Sequence, residues 1–578
     1  MERTWINWKI GGPAGFGIKS VGAMFARAML RLGQYVFAYD EYPSLIRGGH
    51  NTYEITVSPQ PIYTTRRPVS ILVCLDQMTF DEHHQELAEN AIVIINDSQV
   101  TAPVAQLPSK ATVHVIPMDQ LVEENGGEKV MRNVVALGAS IAVLGVEFGP
   151  LNDIIEFNFG NKGKEVDLNV RLAKAGYDYI KSHMSQPSPF LVKTQKNPNR
   201  LFMTGNEAIA WGAIKAGCKL YAAYPMTPAT SILHNLALQA RNYQMVVKHC
   251  EDEISAVNVA VGAGYAGLRA MTGTSGGGFS LMSETYGMAG MMEVPVVMVN
   301  AIRPGPSTGM PTWTGQGDLR FVLHSSQDEF PRFVLAPGSI EQCFEMTQTA
   351  FDLAERYQTP VVILTDKQLA ECNIWVDKLD LKPRTLDRGL IYDAGDVEKH
   401  KPYKRYALDV EHGISPRTLP GTPGGEHIQN SDEHTEEGFS EEGSEMRVRQ
   451  MDKRYKKIDA AARLLPDPEL EGDAHADLTF VSWGSTRGAI LEAMEDLRAA
   501  GMKVNFLQIL YISPLPVKKI REVFTKAKKI AIVEGNKTGQ LAGWIREQTG
   551  LASDYKILKY DGRPFFPHEI VQSVKDMK

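Results

Sequence analysis

Short strand-like runs alternate with longer helix-like runs along most of this chain, and that alternation limits its fold more than any other feature. Near the start, a strand is predicted at 5–10 and a helix at 18–32. Such alternation is typical of α/β domains, in which helices cover the faces of a mainly parallel sheet. The pattern fills residues 1–185 and returns at 200–384 and 471–578, so the predicted fold class is α/β with three α/β domains.

Two polar segments separate these predicted domains. The first, at 186–199, contains three prolines and is typical of a linker. The second, at 385–470, is rich in glycine, proline and acidic residues, although a helix is compatible with 447–465. No packed core is expected there. For its acidic part at 426–445, composition favours a solvated linker, and the alternative is an ordered interface element.

The charge of the chain is concentrated in that second segment. The formal net charge is −7, and residues 426–445 contain eight acidic residues and no lysine or arginine. The rest of the chain is therefore close to neutral. A broad basic face for binding nucleic acid is not expected.

The cysteines and the apolar runs exclude further classes. The five cysteines are scattered, and the sequence contains no CxxC pair, so neither an iron–sulfur cluster nor a metal site is expected in this chain. No apolar run reaches the roughly 20 residues that span a bilayer. No secretory signal is visible at the start, so the expected location is the cytoplasm.

A glycine-rich loop, Gly11–Gly17, connects the first predicted strand to the first predicted helix. Glycines such as Gly15 and Gly17 allow the phosphate of a ligand to approach backbone N–H groups at a helix start. A tight turn without a ligand explains the loop equally well. The cationic Arg47, beside two glycines, has the same two interpretations.

Two loops of the second predicted domain combine turn-forming residues with polar groups. Thr227 is predicted to cap the helix that follows, with Pro228 at the first helical position. The cap alone is a sufficient explanation, although the same geometry suits a bound carboxylate. In Arg303–Thr312, the arginine suits bidentate recognition of a carboxylate, and an interdomain salt bridge is the alternative.

Two further features follow predicted strands of the same domain. Glu251 and Glu253 lie at a helix start, where an acid is either a partner of the helix dipole or a proton handler. The loop Thr274–Ser280 contains three consecutive glycines and allows a bulky ligand to approach closely. Open α/β sheets bind ligands beyond the carboxyl ends of their strands, which is where all four loops are predicted.

Taken together, these motifs resemble those of the α subunits of 2-oxoacid:ferredoxin oxidoreductases that carry a γ domain fused at the N-terminus. Within that family, the chain is most like the 2-oxoglutarate:ferredoxin (2-oxoglutarate synthase) group. Gly11–Gly17 and Ile46–His50 resemble the γ domain. Motifs similar to those of the pyrimidine-binding domain of thiamine-diphosphate enzymes occur at Gly205–Gly217, Tyr224–Pro228, Thr274–Phe279 and Arg303–Thr312. Motifs similar to those of a transketolase-like C-terminal domain occur at Trp483–Thr486, Pro514–Pro516 and Glu534–Gln540.

The resemblance implies oxidative decarboxylation of a 2-oxoacid with thiamine diphosphate, in which coenzyme A takes the acyl group and ferredoxin takes the electrons. Glu253 would be the catalytic acid that hydrogen-bonds the aminopyrimidine ring, with Glu251 as an alternative. The substrate would be held by Thr227, Arg303 and Thr312. Further contacts with the cofactor are implied for Pro225, Ser275, Gly276 and Gly277, and contacts with coenzyme A for Gly15, Gly17 and Arg47.

One departure from a complete enzyme predicts a partner. Thiamine enzymes hold the diphosphate through Mg²⁺ with a Gly-Asp-Gly motif, and here Gly-Asp occurs at 317–318, 395–396 and 472–473 without a following glycine. The resemblance therefore implies a β subunit that carries Mg²⁺, the diphosphate site and a [4Fe-4S] cluster, in an (αβ)₂ assembly. The isolated chain is expected to be inactive.

Three alternatives remain at this point. The chain could serve a pyruvate or another 2-oxoacid:ferredoxin oxidoreductase, because the motifs are shared across the family. The N-terminal glycine loop alone would also fit a Rossmann-type nucleotide-dependent dehydrogenase. A non-catalytic scaffold subunit is the third alternative, and Glu253 together with Arg303 argues against it.

Overall fold

The structure is a computed structural model, and it describes residues 4–45, 48–160, 163–196 and 200–577. Contacts divide these residues into two compact units. Unit 1 runs to Met203 and adds Cys372–Lys378 and Phe566–Ile570; unit 2 contains Thr204–Glu371, Leu379–Phe565 and the residues after Ile570. None of the described helices is both long enough and apolar enough to cross a bilayer.

Unit 1 is built on an eight-stranded sheet with the strand order β6-β5-β4-β1-β3-β2-β14-β7. Its strands are β1 Ile6–Pro13, β2 Tyr35–Glu41, β3 His50–Ser58, β4 Val69–Cys74, β5 Leu87–Asn96, β6 Thr112–Ile116, β7 Leu201–Met203 and β14 Asn373–Val376. Its helices are α1 Ile18–Arg31, α2 Gln77–His83, α3 Met118–Glu124, α4 Arg132–Val143, α5 Gly149–Phe159 and α6 Lys164–His183. The largest hydrophobic core of unit 1 includes Trp8, Phe25 and the apolar residues of α4.

Unit 2 contains two sheets, a seven-stranded one with the order β18-β12-β13-β11-β10-β8-β9 and a five-stranded one with the order β15-β17-β16-β19-β20. The strands are β8 Leu220–Ala223, β9 Val246–His249, β10 Ala270–Thr274, β11 Val296–Ile302, β12 Phe333–Leu335, β13 Pro360–Asp366, β15 Leu470–Gly472, β16 Leu478–Ser482, β17 Val504–Gln508, β18 Tyr511–Ser513, β19 Ile530–Glu534 and β20 Tyr555–Leu558. One core extends from β11 to residues of the five-stranded sheet such as Val481 and Ile532.

The helices that follow β7 in sequence are α7 Gly205–Lys215, α8 Thr230–Gln239, α9 Glu253–Tyr265, α10 Gly276–Met291, α11 Leu319–His324, α12 Ile340–Tyr357, α13 Lys367–Glu371, α14 Ala394–Lys399, α15 Ser444–Leu464, α16 Thr486–Ala499, α17 Val517–Lys526, α18 Gln540–Thr549 and α19 Pro567–Lys575. The predicted α/β class is confirmed, and β1 and α1 overlap the strand predicted at 5–10 and the helix predicted at 18–32.

The expectation that residues 385–470 lack a packed core is wrong. Tyr406, Lys453 and Lys457 are buried, and α15 covers most of the helix expected at 447–465. Glu433 of the acidic stretch accepts hydrogen bonds from Arg447 and Arg454. Composition indicates polarity but not pairing, and these acids and bases stabilise each other in a packed segment.

The predicted linker at 186–199 also packs where it is described. Val192 N donates to Leu144 O at 3.0 Å, and Gln195 N donates to Leu32 O at 2.8 Å. Two short strands from the region predicted as the second domain, β7 and β14, join the sheet of unit 1, because β14 pairs with both β2 and β7. Sequence periodicity is a weak signal for strands this short.

Candidate active site

Four loops of unit 2 converge at one edge of the seven-stranded sheet. β9, β8, β10 and β11 are parallel neighbours in that order, so their carboxyl ends lie at the same edge. The loops that follow these four strands contain the acids, the glycines, the Thr-Pro pair and the arginine that the sequence singled out. A ligand site beyond the carboxyl ends of parallel strands is typical of such sheets.

Glu253 is the first residue of α9 and is only 3% exposed, whereas Glu251 is exposed. Asp252 caps the helix, because its Oδ1 accepts a 2.8 Å hydrogen bond from Ser255 N. Burial raises the pKa of Glu253, against the charge of Arg303 and a hydrogen bond with Thr274. Among the described residues, Glu253 Oε1 has no hydrogen-bond partner. A buried carboxyl oxygen without a partner is costly unless a ligand supplies the bond.

The start of α10 lies close to this carboxyl group because it lacks side chains. A Cβ atom placed on Gly278 would lie 2.0 Å from Thr274 Oγ1 and 2.5 Å from Glu253 Oε1, and one placed on Gly276 would lie 2.5 Å from Asp318 Oδ2. Ser275, the residue before the helix, makes no capping bond, and its Oγ is also buried without a partner among the described residues. Gly276 and Gly278 thus allow these side chains to lie close to α10, and the close approach of a bulky ligand stays a prediction.

Arg303 connects two of the loops. Its Nη1 donates a 2.8 Å hydrogen bond to the backbone oxygen of Thr227. Burial lowers the pKa of Arg303, and the charges of Asp318 and Glu253 oppose that shift. The predicted capping role of Thr227 is wrong: α8 begins at Thr230, and Ala229 occupies the cap position without a side-chain bond. The turn occupies more residues than the sequence indicated, which separates Thr227 from the helix.

A cavity of about 470 Å³ opens beside these groups. It is lined by Met226, Gly276, Gly277, Ser280, Arg303, Gly305, Pro306, Ser307, Thr308, Asp318 and Phe321. Of the predicted site residues, Arg303, Gly276 and Gly277 line the cavity directly. Thr312 is buried. The predicted site residues that are not among the lining residues are Glu253, Thr227, Thr312, Pro225 and Ser275.

Asp318 is a lining residue that sequence reasoning missed. Its Oδ2 accepts a 3.2 Å hydrogen bond from Asn300 Nδ2. Burial raises the pKa of Asp318, while Asn300 and the charge of Arg303 act in the opposite direction. The sequence signal that indicates Asp318 as a site residue is its position after the loop that begins at Arg303. Its place in Gly317-Asp318 instead suggests only an incomplete diphosphate-binding motif.

Three family models match successive parts of the chain. The model for pyruvate flavodoxin/ferredoxin oxidoreductase, thiamine diphosphate-binding, matches residues 211–453. The model for pyruvate ferredoxin/flavodoxin oxidoreductase matches residues 7–179, and the model for pyruvate:ferredoxin oxidoreductase core domain II matches residues 476–570.

Curated relatives extend the similarity to the whole chain. The 2-oxoacid:ferredoxin oxidoreductase 2 α subunit of Aeropyrum pernix is 31% identical over 99% of this chain and 97% of its own length. The chain belongs to the 2-oxoacid:ferredoxin oxidoreductase α-subunit family. The 2-oxoglutarate oxidoreductase subunit KorA of Mycobacterium tuberculosis is 29% identical to this family member over 98% of this chain and 90% of that one.

A solved structure matches this family member over its full length. The 2-oxoglutarate:ferredoxin oxidoreductase from Magnetococcus marinus, with 2-oxoglutarate, coenzyme A and succinyl-CoA bound, superimposes with a TM-score of 0.93 at 31% identity. Each chain is covered to 100%. The resemblance predicted from the motifs is therefore confirmed, as is the oxidoreductase class, and the dehydrogenase and scaffold alternatives are left without support.

The N-terminal glycine loop of this 2-oxoacid:ferredoxin oxidoreductase α subunit has a structural explanation of its own. Gly15 and Gly17 have φ angles of 89° and 67°, which favour glycine, and Gly17 directly precedes α1. Asn133 Nδ2 donates a 2.7 Å hydrogen bond to Phe16 O and fixes the turn. Arg47 lies outside the described residues, so the predicted contacts with coenzyme A stay predictions.

Proposed function

We propose that this chain is the α subunit of a 2-oxoglutarate:ferredoxin oxidoreductase. The complex would interconvert 2-oxoglutarate, coenzyme A and oxidised ferredoxin with succinyl-CoA, CO₂ and reduced ferredoxin. The observation that carries the proposal is a buried carboxyl oxygen of Glu253 without a partner, in the same loop cluster as Arg303. The names of the relatives from M. tuberculosis and M. marinus support 2-oxoglutarate as the substrate.

The residues present fit the aminopyrimidine half of thiamine diphosphate. Glu253 Oε1 offers an unused hydrogen-bonding atom, and Gly278 lets α10 lie against this carboxyl group without displacing it. Ser275, Gly276, Gly277 and Pro225 would contribute further contacts with the cofactor. When bound, thiamine diphosphate accepts the electron pair that the substrate keeps when CO₂ leaves.

The raised pKa of Glu253 suits its proposed role. A carboxyl group that titrates above its ordinary range shares a proton with a ring nitrogen more readily than a fully solvated one does. Glu251, the alternative, is exposed and so lacks this environment. Glu253 would hold and release the proton at the aminopyrimidine ring throughout the reaction.

Arg303 would hold the carboxylate next to the oxo group of the substrate. Its guanidinium already faces the cavity, with one N–H used by the carbonyl of Thr227 and the remaining N–H groups able to bind a carboxylate. Thr227 and Thr312 would contribute hydrogen bonds to the substrate. The position of Arg303 between two loops would fix the substrate relative to the cofactor.

A β subunit would complete the site. This sequence has no Gly-Asp-Gly motif and no cysteine pair, so Mg²⁺, the diphosphate site and a [4Fe-4S] cluster would belong to the partner. Electrons would pass from the partner to ferredoxin. The proposed assembly is (αβ)₂, with coenzyme A contacting Gly15, Gly17 and Arg47 of this chain, in the cytoplasm.

A second candidate is a pyruvate or another 2-oxoacid:ferredoxin oxidoreductase. Among the described residues that line the cavity, Arg303 is the one cation. One arginine is sufficient for a monocarboxylic substrate, whereas 2-oxoglutarate needs a further group for its distal carboxylate. In the primary proposal, that group comes from the β subunit.

The experiment is a substrate comparison on the complex of this chain with its β subunit. Reduction of a viologen or ferredoxin is measured with 2-oxoglutarate, pyruvate, a branched-chain 2-oxoacid and an aryl pyruvate, each with coenzyme A. The highest kcat/KM is expected with 2-oxoglutarate, and no activity is expected from the isolated chain. A higher kcat/KM with pyruvate supports the second candidate, and activity of the isolated chain overturns the assignment of the diphosphate site to a partner.

A further inference from the structure

A cluster of three potential metal ligands lies in unit 1. His50 is the first residue of β3, and Glu82 and His83 end α2. One ligand atom from each side chain lies within 4.8 Å of the other two. We propose that His50, Glu82 and His83 bind one divalent transition-metal ion, with zinc as the probe ion.

The distances suit two nitrogen ligands of one ion. His50 Nε2 lies 3.0 Å from His83 Nε2. Two nitrogens bonded to zinc at about 2.0–2.1 Å lie about 2.9–3.4 Å apart when the bond angle is roughly 90–110°. The third ligand needs only a side-chain rotation, since Glu82 Oε2 is 4.0 Å from His50 Nε2 and the Glu82 side chain is 52% exposed. Water reaches this side of the cluster and can complete the coordination.

A second carboxylate orients one of the imidazoles. His83 Nδ1 lies 3.3 Å from Glu86 Oε2 and 3.3 Å from Lys9 Nζ, and His83 Nε2 is directed at His50. Histidines that bind metals commonly donate the other ring nitrogen to a carboxylate in this manner.

The local charges favour a cation at this position. Lys9 lies 3.1 Å from Glu54 and 2.7 Å from Glu86, and Arg67 also pairs with both acids, so the charges of these four residues balance. Glu82 adds a negative charge beside two imidazoles.

The ligand set also indicates the class of ion. Two imidazoles and one carboxylate suit zinc and other first-row divalent metals, and not the hard cations Mg²⁺ and Ca²⁺, which prefer all-oxygen sites. The sequence predicted no metal because it contains no paired cysteines. His50 and His83 are 33 positions apart in the sequence, and this spacing matches no short metal-binding motif. Only folding brings the two side chains together.

In the test, the assembled complex is freed of metal with a chelator and then titrated with zinc. Isothermal titration calorimetry measures the stoichiometry and the affinity. The unmodified complex is expected to bind one more zinc ion per chain than the complex with the His50→Gln variant does. Because Glu82 is exposed, Glu82→Gln preserves the fold, and it should weaken zinc binding about tenfold or more. Asp81→Asn, which alters the neighbouring exposed carboxylate, is the matched control and should bind zinc as the unmodified complex does.

Two outcomes overturn the proposal. The first is equal zinc stoichiometry in the unmodified complex and the His50→Gln variant. The second is unchanged affinity in Glu82→Gln together with a loss in Asp81→Asn. Neither result depends on turnover, so the test is independent of the proposed oxidoreductase activity.

Discussion

Arg303 Nη1 donates a 2.8 Å hydrogen bond to the backbone oxygen of Thr227, and this bond joins the loop after β11 to the loop after β8. The two residues are 76 positions apart in the sequence. The bond holds the guanidinium at the wall of the cavity in a fixed direction. Its other N–H groups are therefore oriented before a substrate arrives, which lowers the entropic cost of binding.

Arg303→Lys should raise KM and lower kcat/KM for the 2-oxoacid. Lysine keeps the charge but cannot bond a carbonyl and a carboxylate with one planar group. Losing one charge-assisted hydrogen bond costs about 1.5–3 kcal/mol, or roughly ten- to a hundredfold in kcat/KM. Steady-state kinetics of the complex measure the change, with Arg241→Lys, at an exposed position, as the control. Equal kinetics in the two variants would show that Arg303 does not bind substrate.

Glu253→Gln should lower turnover by about 10²–10⁴-fold, because the amide cannot exchange a proton with the cofactor. Glu251→Gln is the matched control, since Glu251 is exposed and lies two positions away. Initial rates of viologen reduction by the assembled complex measure both variants. A large loss in Glu251→Gln and none in Glu253→Gln would assign the role to Glu251 instead.

Gly278→Ala should reduce activity and weaken the binding of thiamine diphosphate. The added Cβ would lie 2.0 Å from Thr274 Oγ1 and 2.5 Å from Glu253 Oε1, so it would displace the carboxyl group proposed to bind the cofactor. Gly262→Ala introduces the same methyl group into α9 with no atom within 4 Å of it. Calorimetric titration of the complex with the cofactor should give weaker binding for the first variant only; equal affinities would refute the proposed cradle.

Glu293→Gln should destabilise unit 2 strongly. Lys453 Nζ lies 2.5 Å from Glu293 Oε1, Lys457 bonds the other oxygen, and all three side chains are at most 1% exposed. Removing the carboxylate leaves two buried ammonium groups without compensation, which costs about 3–5 kcal/mol. Lys453→Met keeps a one-to-one ion pair and should be neutral or stabilising by about 1–4 kcal/mol. Chemical denaturation of both variants checks the contrast, and similar losses would contradict it.

The same cluster predicts a pH dependence of stability. Burial lowers the pKa of Lys453 to about 7 and that of Lys457 to about 8, against the attraction of Glu293. In the unfolded chain, both lysines stay protonated up to about pH 10. Above about pH 7 the unfolded state therefore binds more protons, so the free energy of unfolding rises with pH in this window. Lys453→Met should reduce the slope, and an unchanged slope would assign it to other groups.

Much of the fold could be predicted because it depends on local patterns. β1 overlaps the strand predicted at 5–10, and α1 begins at the predicted Ile18. The segment at 385–470 could not be predicted in this way. Its burial depends on ion pairs such as that between Arg454 and Glu433, and composition does not show which charges meet.

The candidate site shows the same division. The glycines of the loop after β10 and the positions of Glu253 and Arg303 after strands are visible in the sequence. The cap assigned to Thr227 was wrong, because the length of a turn depends on how the chain packs after it. Asp318 was missed as a site residue, since only the fold brings its carboxylate beside Gly276 and close to Arg303.

By itself, the sequence determined the α/β class, the resemblance to the family, and the lack of a Gly-Asp-Gly motif and of paired cysteines. These features depend on local periodicity and residue identity. The tertiary structure alone decided that Glu253 is buried while Glu251 is exposed, and that His50 meets His83. Burial, pKa shifts and ligand distances depend on contacts between residues far apart in the chain, and these contacts exist only after folding.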